Sequence, residues 1–257
     1  MLNDPMVNIF DLDGTLLNTI DDLGYACNHA LEQLGYPTFP IAEYPAKVGN
    51  GVNNLIRRAL PENERTEENI LRARAYFIPY YNEHNCDYTK PYDGIPALLA
   101  ELKRRGCRLA VASNKYQAAT EKIVAHFFPG IFDVVLGERD GVPRKPDPQI
   151  VKDIIERLSA NDSERSDSNC GLSVPMVCQS VGRSLYLGDS LVDKETAANS
   201  GVPFVACSWG FVPKDKLRQA GCERIIDRPG QLLDYLTKSY GEADRMNEVN
   251  KEMVPCK

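Results

Sequence analysis

"NIFDLDGTLLNT" occupies residues 8–19. A short apolar run ends on two aspartates, Asp11 and Asp13, and passes straight into Gly14 and Thr15. Carboxylates this close raise each other's pKa unless something neutralises them. A buried strand that ends on such a pair therefore demands partners from elsewhere in the chain.

Further apolar runs lie at 108–112, 133–137, 185–188, 203–208 and 224–227. They are rich in Val, Ile and Leu without clear two-sided alternation, as in a parallel sheet covered on both faces. Helical patterns separate them. "GIPALLAELKRRG" (94–106) carries basic residues in its last turn and stops at Gly106; "SLVDKETAANSG" (190–201) stops at Gly201. Strand and helix in alternation predict an α/β fold with a Rossmann-like parallel core.

The stretch between Thr15 and Arg108 is far too long for one crossover. Within it, "TIDDLGYACNHALEQLG" (19–35) predicts an amphipathic helix with Thr19 as N-cap. Leu23, Ala26, Cys27, Ala30, Leu31 and Leu34 share its apolar face. "GVNNLIRRAL" and "NILRARAYFIPYYNEH" read as further helices. The expectation is a core formed by 1–18 and 89–241 and a small α-helical insert at 19–88. Residues 159–184 are rich in Ser, Asn and Asp and read as a long surface loop with a short hairpin near 174–177. Within it, Cys170 and Cys178 can pair, although free thiols are the simpler expectation. The tail at 242–257 reads as disordered.

Composition sets bounds on function. The 257 residues are 43% hydrophobic and 26% charged, as in a globular protein. A net charge of −6 without a basic block argues against nucleic acid. No apolar run approaches a membrane span, and "MLNDPMVN" lacks the layout of a signal peptide, so a cytoplasmic location is expected. Eight scattered cysteines without a CxxC pair argue against a zinc site or a disulfide framework.

Four polar sites follow four predicted strands: Asp11 and Asp13; Ser113 and Asn114; Lys145, in "RKPDP"; and Asp189 with Asp193, in "GDSLVD". Ligands of open parallel sheets bind at the carboxyl ends of the strands, so these loops converge. Clustered carboxylates suit a hard dication such as Mg²⁺, which needs few protein ligands. Lys145, the Ser113 hydroxyl and backbone N–H groups suit a tetrahedral anion. Together they point to phosphoryl transfer with a carboxylate nucleophile.

"DLDGT", "ASN", "KPDP" and "GDSLVD", in that order, resemble the four motifs of the haloacid dehalogenase (HAD) superfamily. The resemblance implies that Asp11 is the nucleophile and Asp13 the general acid and base. It also implies that Asp11, the Asp13 main chain and Asp189 hold Mg²⁺. Asp193 supports the metal from behind, and Ser113, Asn114 and Lys145 hold the phosphoryl oxygens. An acid at position 13 favours a phosphatase or phosphomutase over a dehalogenase. The insert resembles a helical cap, and "KVGNGVNNLIRRAL" is similar to a segment of phosphoglycolate phosphatases. Lys47, Gly49, Asn50 and Gly51 are its candidates for recognising a small carboxylate. "SWGF" (208–211) resembles the same family, with Trp209 equally open to packing or function, whereas Arg57 and Arg58 read as surface or salt-bridging residues. The expected partner is a small phosphorylated metabolite, with no nucleic acid and no membrane, in a monomer or homodimer. Competing readings are a sugar phosphomutase of β-phosphoglucomutase type, a pyrophosphatase or nucleotidase, and a non-catalytic binding module on the same scaffold.

Overall fold

The computed structural model describes residues 6–165 and 184–237. The expected hairpin at 174–177, Cys170, Cys178 and the tail at 242–257 lie outside the described residues. The chain opens with β1 (Val7–Phe10), β2 (Leu17–Asn18), α1 (Ile20–Gln33), α2 (Val52–Ala59), α3 (Glu67–His84) and β3 (Lys90–Pro91). It continues through α4 (Ile95–Arg104), β4 (Arg108–Tyr116), α5 (Gln117–Phe127), β5 (Val134–Glu138) and α6 (Gln149–Arg165). After 183 come β6 (Ser184–Gly188), α7 (Leu191–Asn199), β7 (Phe204–Cys207), α8 (Lys214–Gln219) and β8 (Ile225–Ile226).

Six strands form one sheet among the described residues, in the order β5-β4-β1-β6-β7-β8, and every pairing is parallel. Side chains alternate between its faces. Val7, Ile9, Ala110, Ala112 and Tyr186 pack on one face with Ile150, Ile154 and Leu158 of α6. Phe10, Leu109, Val111, Leu185 and Leu187 pack on the other with Leu98 and Leu102 of α4 and Ile123 of α5. Both faces are apolar, so the strands read as unbroken hydrophobic runs. Each fully buried Leu or Ile contributes about 1.5–3 kcal/mol of transfer free energy.

The inserted helices have a separate anchor. β2 and β3 pair antiparallel, Leu17 with Pro91 and Asn18 with Lys90, where the chain leaves and re-enters the sheet region. Each strand is two residues long, too short to show a pattern in sequence. Asp22 of α1 is buried, and its carboxylate accepts from the backbone N–H groups of Tyr88 (3.0 Å) and Thr89 (2.9 Å), fixing the return path. Ile70, Ala73, Phe77 and Tyr81 form the buried stripe of α3. They belong to the same apolar cluster as one sheet face.

Three local expectations are corrected. Thr19 stands at the start of α1 but its side chain makes no capping bond; the hydroxyl has a stronger acceptor, described below. The strand expected at 108–112 extends to Tyr116, with a register shift between Ala112 and Tyr116. α6 continues to Arg165, so the segment expected as loop from 159 begins as helix. Ser159 donates its hydroxyl back to Ile155 O (2.9 Å), which keeps a polar residue compatible with the helix. No helix among the described residues is long and apolar enough to cross a membrane.

Candidate active site

β1 carries Asp11 out of the sheet centre, and the ladder with β6 continues one residue further through Asp11 N–H to Leu187 O (3.0 Å). The chain then turns sharply at Gly14, whose φ is +83°. A Cβ at Gly14 would lie 2.4 Å from Asp189 Oδ2, so both the backbone conformation and the close approach require glycine. This turn brings the first and last motifs into contact.

Lys145 sits beneath that contact with 5% of its surface exposed. Its ammonium donates to Asp11 Oδ1, Asp193 Oδ1 and Ala112 O, all at 2.8 Å, and lies 3.1 Å from the Tyr186 hydroxyl. Burial disfavours the charged ammonium, but Asp11 and Asp193 outweigh it and hold the Lys145 pKa well above its usual value. Burial, helped by Asp193, pushes Asp11 up to about 7 against the opposing pull of Lys145. The loop bearing Lys145 is clamped by the Asn114 amide, which donates to Lys145 O (3.1 Å) and accepts from Lys145 N–H (2.9 Å). The Asn114 side chain is thereby engaged in holding the Lys145 loop. Ser113 lies in the register shift of β4, and its Oγ accepts from Lys115 N–H (3.1 Å).

Asp189 and Asp193 follow β6. Asp193 closes a capping box with Ser190 at the start of α7. Its Oδ2 accepts from Ser190 N–H and Oγ, while Oδ1 accepts from Lys145. Asp189 Oδ2 accepts from Phe211 N–H (2.6 Å), and a Cβ at Gly210 would come within 2.2 Å of Asp189 Cβ. Trp209 donates its indole N–H to Thr15 O (3.0 Å). "SWGF" thus wraps around Asp189 and the Gly14 turn. Burial, then Asp193 and Asp11, raise the Asp189 pKa well above the carboxylate range.

Ligand oxygens of Asp11, Asp189 and Asp193 lie within 4.8 Å of one another, and all three residues are buried. Only the Lys145 ammonium among the described residues pairs with this cluster. An all-oxygen donor set with excess negative charge fits a hard divalent cation. Of the expected ligands, Asp11 and Asp189 are in this cluster. The Asp13 side chain is not: its Oδ1 accepts from Thr19 Oγ1 (2.6 Å) and pairs with Lys115 Nζ (2.9 Å). This is the acceptor that draws the Thr19 hydroxyl away from capping.

A cavity of about 340 Å³ opens above these groups. Asp11, Asp13, Ser113, Asn114, Lys145 and Asp189 line its floor. Gly49, Asn50 and Gly51, at the start of α2, line its roof. Lys47 is not among the lining residues; its ammonium lies 4.0 Å from the Phe39 ring centroid and 3.7 Å from Glu43. Arg57 pairs with Glu67. Arg58 is exposed, as expected of a surface residue, and also lines the cavity: one guanidinium nitrogen donates to Lys47 O, Val48 O and Gly49 O.

Lys115 and Tyr186 also belong to the site, outside the four motifs. Lys115 directly follows Ser113 and Asn114, and a lysine closing an apolar strand needs a partner once buried. Tyr186 is the one hydroxyl-bearing residue inside the apolar run 185–188, which is the signal that marks it.

A doubly covered parallel sheet with an acidic cluster at its carboxyl edge, a buried lysine and a roofed cavity defines a hydrolase of the HAD kind. The model of the haloacid dehalogenase-like hydrolase family matches residues 8–166, and the chain belongs to that family. A phosphoglycolate phosphatase of Psychrobacter arcticus is 30% identical over 244 residues, covering 92% of this chain and 98% of the relative. One from Cereibacter sphaeroides is 32% identical over 233 residues, covering 89% and 97%. A solved structure from Lactobacillus delbrueckii subsp. bulgaricus, named as a candidate phosphoglycolate phosphatase, superposes with a TM-score of 0.76 at 32% identity, covering 88% of this chain and 96% of that one. The chain is an enzyme of the phosphoric monoester hydrolase class.

Proposed function

We propose that this enzyme is a Mg²⁺-dependent phosphomonoesterase acting on a small phosphorylated metabolite, with 2-phosphoglycolate the first choice. The supporting observation is the buried Asp11 carboxylate, held by Lys145 and opening on a small cavity beside Asp13. The relatives' activity on phosphoglycolate supports the choice of substrate.

Asp11 attacks phosphorus, forming an Asp11 O–P bond as the P–O bond to the leaving alcohol breaks. Asp13 donates a proton to the departing oxygen. It then takes a proton from water, whose oxygen attacks phosphorus and releases phosphate and free Asp11. Lys145 orients Asp11 and offsets charge on the transferring group. The Ser113 hydroxyl and the Asn114 backbone N–H hold phosphoryl oxygens. Asp11, Asp189 and the Asp13 main chain are the residues that would hold Mg²⁺, with Asp193 behind them fixing Lys145. The ion would supply positive charge to the phosphoryl oxygens and lower the Asp11 pKa, keeping the nucleophile ionised.

Residues 1–18 and 89–241 serve as the catalytic core and 19–88 as its cap, with Gly49, Asn50 and Gly51 closing on the leaving group. The enzyme works in the cytoplasm, as a monomer or homodimer. Phosphate release from 2-phosphoglycolate, sugar phosphates, nucleotides and pyrophosphate tests this, with Asp11→Asn as the blank. The expected result is 2-phosphoglycolate turned over fastest in a Mg²⁺-dependent, EDTA-sensitive reaction. Release that persists in Asp11→Asn would overturn the proposal.

A further inference from the structure

Four cationic side chains line the cavity: Arg58, Lys115, Lys145 and Lys216. Lys145 is bonded to Asp11 and Asp193, and Arg58 to three loop carbonyls. Lys216 is exposed at the rim. Lys115 differs from all three: its side chain is 4% exposed and it stands directly behind Asp13, at 2.9 Å. An ammonium has three N–H donors. The Tyr81 hydroxyl of α3 accepts one of them (2.7 Å), and Asp13 Oδ1 lies at ion-pair distance (2.9 Å). No other acceptor for this ammonium is present among the described residues. The Tyr81 ring centroid, 4.7 Å away, bounds the ammonium on one side.

Asp13 must come within roughly 2.6–3.2 Å of the ester oxygen it protonates. The atoms of the leaving group one and two bonds beyond that oxygen then fall beside Lys115 Nζ. We propose that Lys115 selects esters whose leaving group carries a carboxylate on the carbon next to the ester oxygen, an N–H not taken by Tyr81 donating to that carboxylate. This rests on the phosphomonoesterase reading of the same site and names the residue that sets its substrate class. The cation comes from the core, whereas Lys47 of the insert faces Phe39. Phe77, Tyr81 and Leu55 wall the same space and keep the leaving group small.

The test compares kcat/KM for 2-phosphoglycolate and for ethyl phosphate, which has a similar leaving group without the carboxylate. Lys115 also holds Asp13, so its removal is expected to slow both esters; the ratio between them isolates recognition. In Lys115→Met the preference for 2-phosphoglycolate over ethyl phosphate is expected to fall roughly tenfold to a hundredfold, as for loss of a charge-assisted hydrogen bond, mainly through KM. Lys115→Arg, which keeps the charge, is expected to retain part of the preference, and Lys115→Gln provides the neutral readout if the methionine variant does not fold. An unchanged ratio in the folded neutral variant, with both esters slowed alike, would overturn the proposal and leave Lys115 as a support for Asp13. A wild-type enzyme that hydrolyses both esters without preference would overturn it too, leaving the catalytic reading intact. Hydrolysis of neither ester would instead defeat the catalytic reading, and this one with it.

Discussion

Lys145 Nζ donates to Asp11 Oδ1 across 2.8 Å, joining positions 134 residues apart in the chain. The same ammonium reaches Asp193 Oδ1 at 2.8 Å, so one cation holds two of three buried carboxylates. Breaking a buried ion pair from one side costs about 3–5 kcal/mol, because the remaining charge is left uncompensated. Lys145→Met is therefore expected to lose about that much stability in urea unfolding of the metal-free protein. Adding Asp11→Asn to it should recover part of the loss, since the double variant strands one charge fewer. A double variant as unstable as the sum of the singles would contradict the pairing.

The charge cluster also sets a pH dependence. In the metal-free protein Asp11 rises to about 7 from its ordinary 3.8, chiefly through burial. Between those values the folded protein binds a proton that the unfolded chain releases, so stability falls as pH rises through this window. Asp189, raised for the same reasons, acts in the same direction. Melting temperature without metal should therefore drop from pH 5 to pH 8, less steeply in Asp11→Asn. Mg²⁺ should raise it more at pH 8 than at pH 6, because at pH 6 the ion displaces a proton. A larger Mg²⁺ effect at pH 6 would contradict this.

Thr19 reaches Asp13 rather than its own helix. Thr19→Val keeps the shape and removes the donor. It should lower kcat roughly tenfold and cost about 1.5–3 kcal/mol of stability, the scale of one hydrogen bond to a charged group. An unchanged kcat in the folded variant would contradict a role for Thr19 in holding Asp13.

Gly210 lies against Asp189 and Gly14 O, where a Cβ would sit 2.2 Å and 2.4 Å from them. Backbone cannot yield as a flexible side chain does. Gly210→Ala should destabilise the protein by about 1–3 kcal/mol and weaken Mg²⁺ binding through Asp189. Calorimetric titration of Mg²⁺ into the variant checks it.

The parallel sheet was legible because its strands are covered on both faces, and runs such as 108–112 and 185–188 carry no competing period. The four motifs were legible because each lies at or beyond the carboxyl end of an apolar run. Lys115 and Thr19 were not, because their partners are set by tertiary approach: Tyr81 is 34 residues from Lys115, and Thr19 looked like an ordinary cap. Lys47 was read from local charge, but its ammonium lies 4.0 Å from the Phe39 ring centroid and it does not line the cavity. The continuation of α6 past 159 was not legible because Ser, Asn and Asp favour loops on average, yet the helix runs on to Arg165.

The central claim is that Asp11 becomes covalently phosphorylated. Enzyme turning over 2-phosphoglycolate with Mg²⁺ would be quenched, reduced with borohydride and digested, and the peptide carrying position 11 examined by mass spectrometry. Reduction of an acyl phosphate leaves homoserine in place of Asp11, and this is the predicted result, absent without substrate. An intact Asp11 in enzyme quenched during steady phosphate release, together with homoserine at another position, would contradict it.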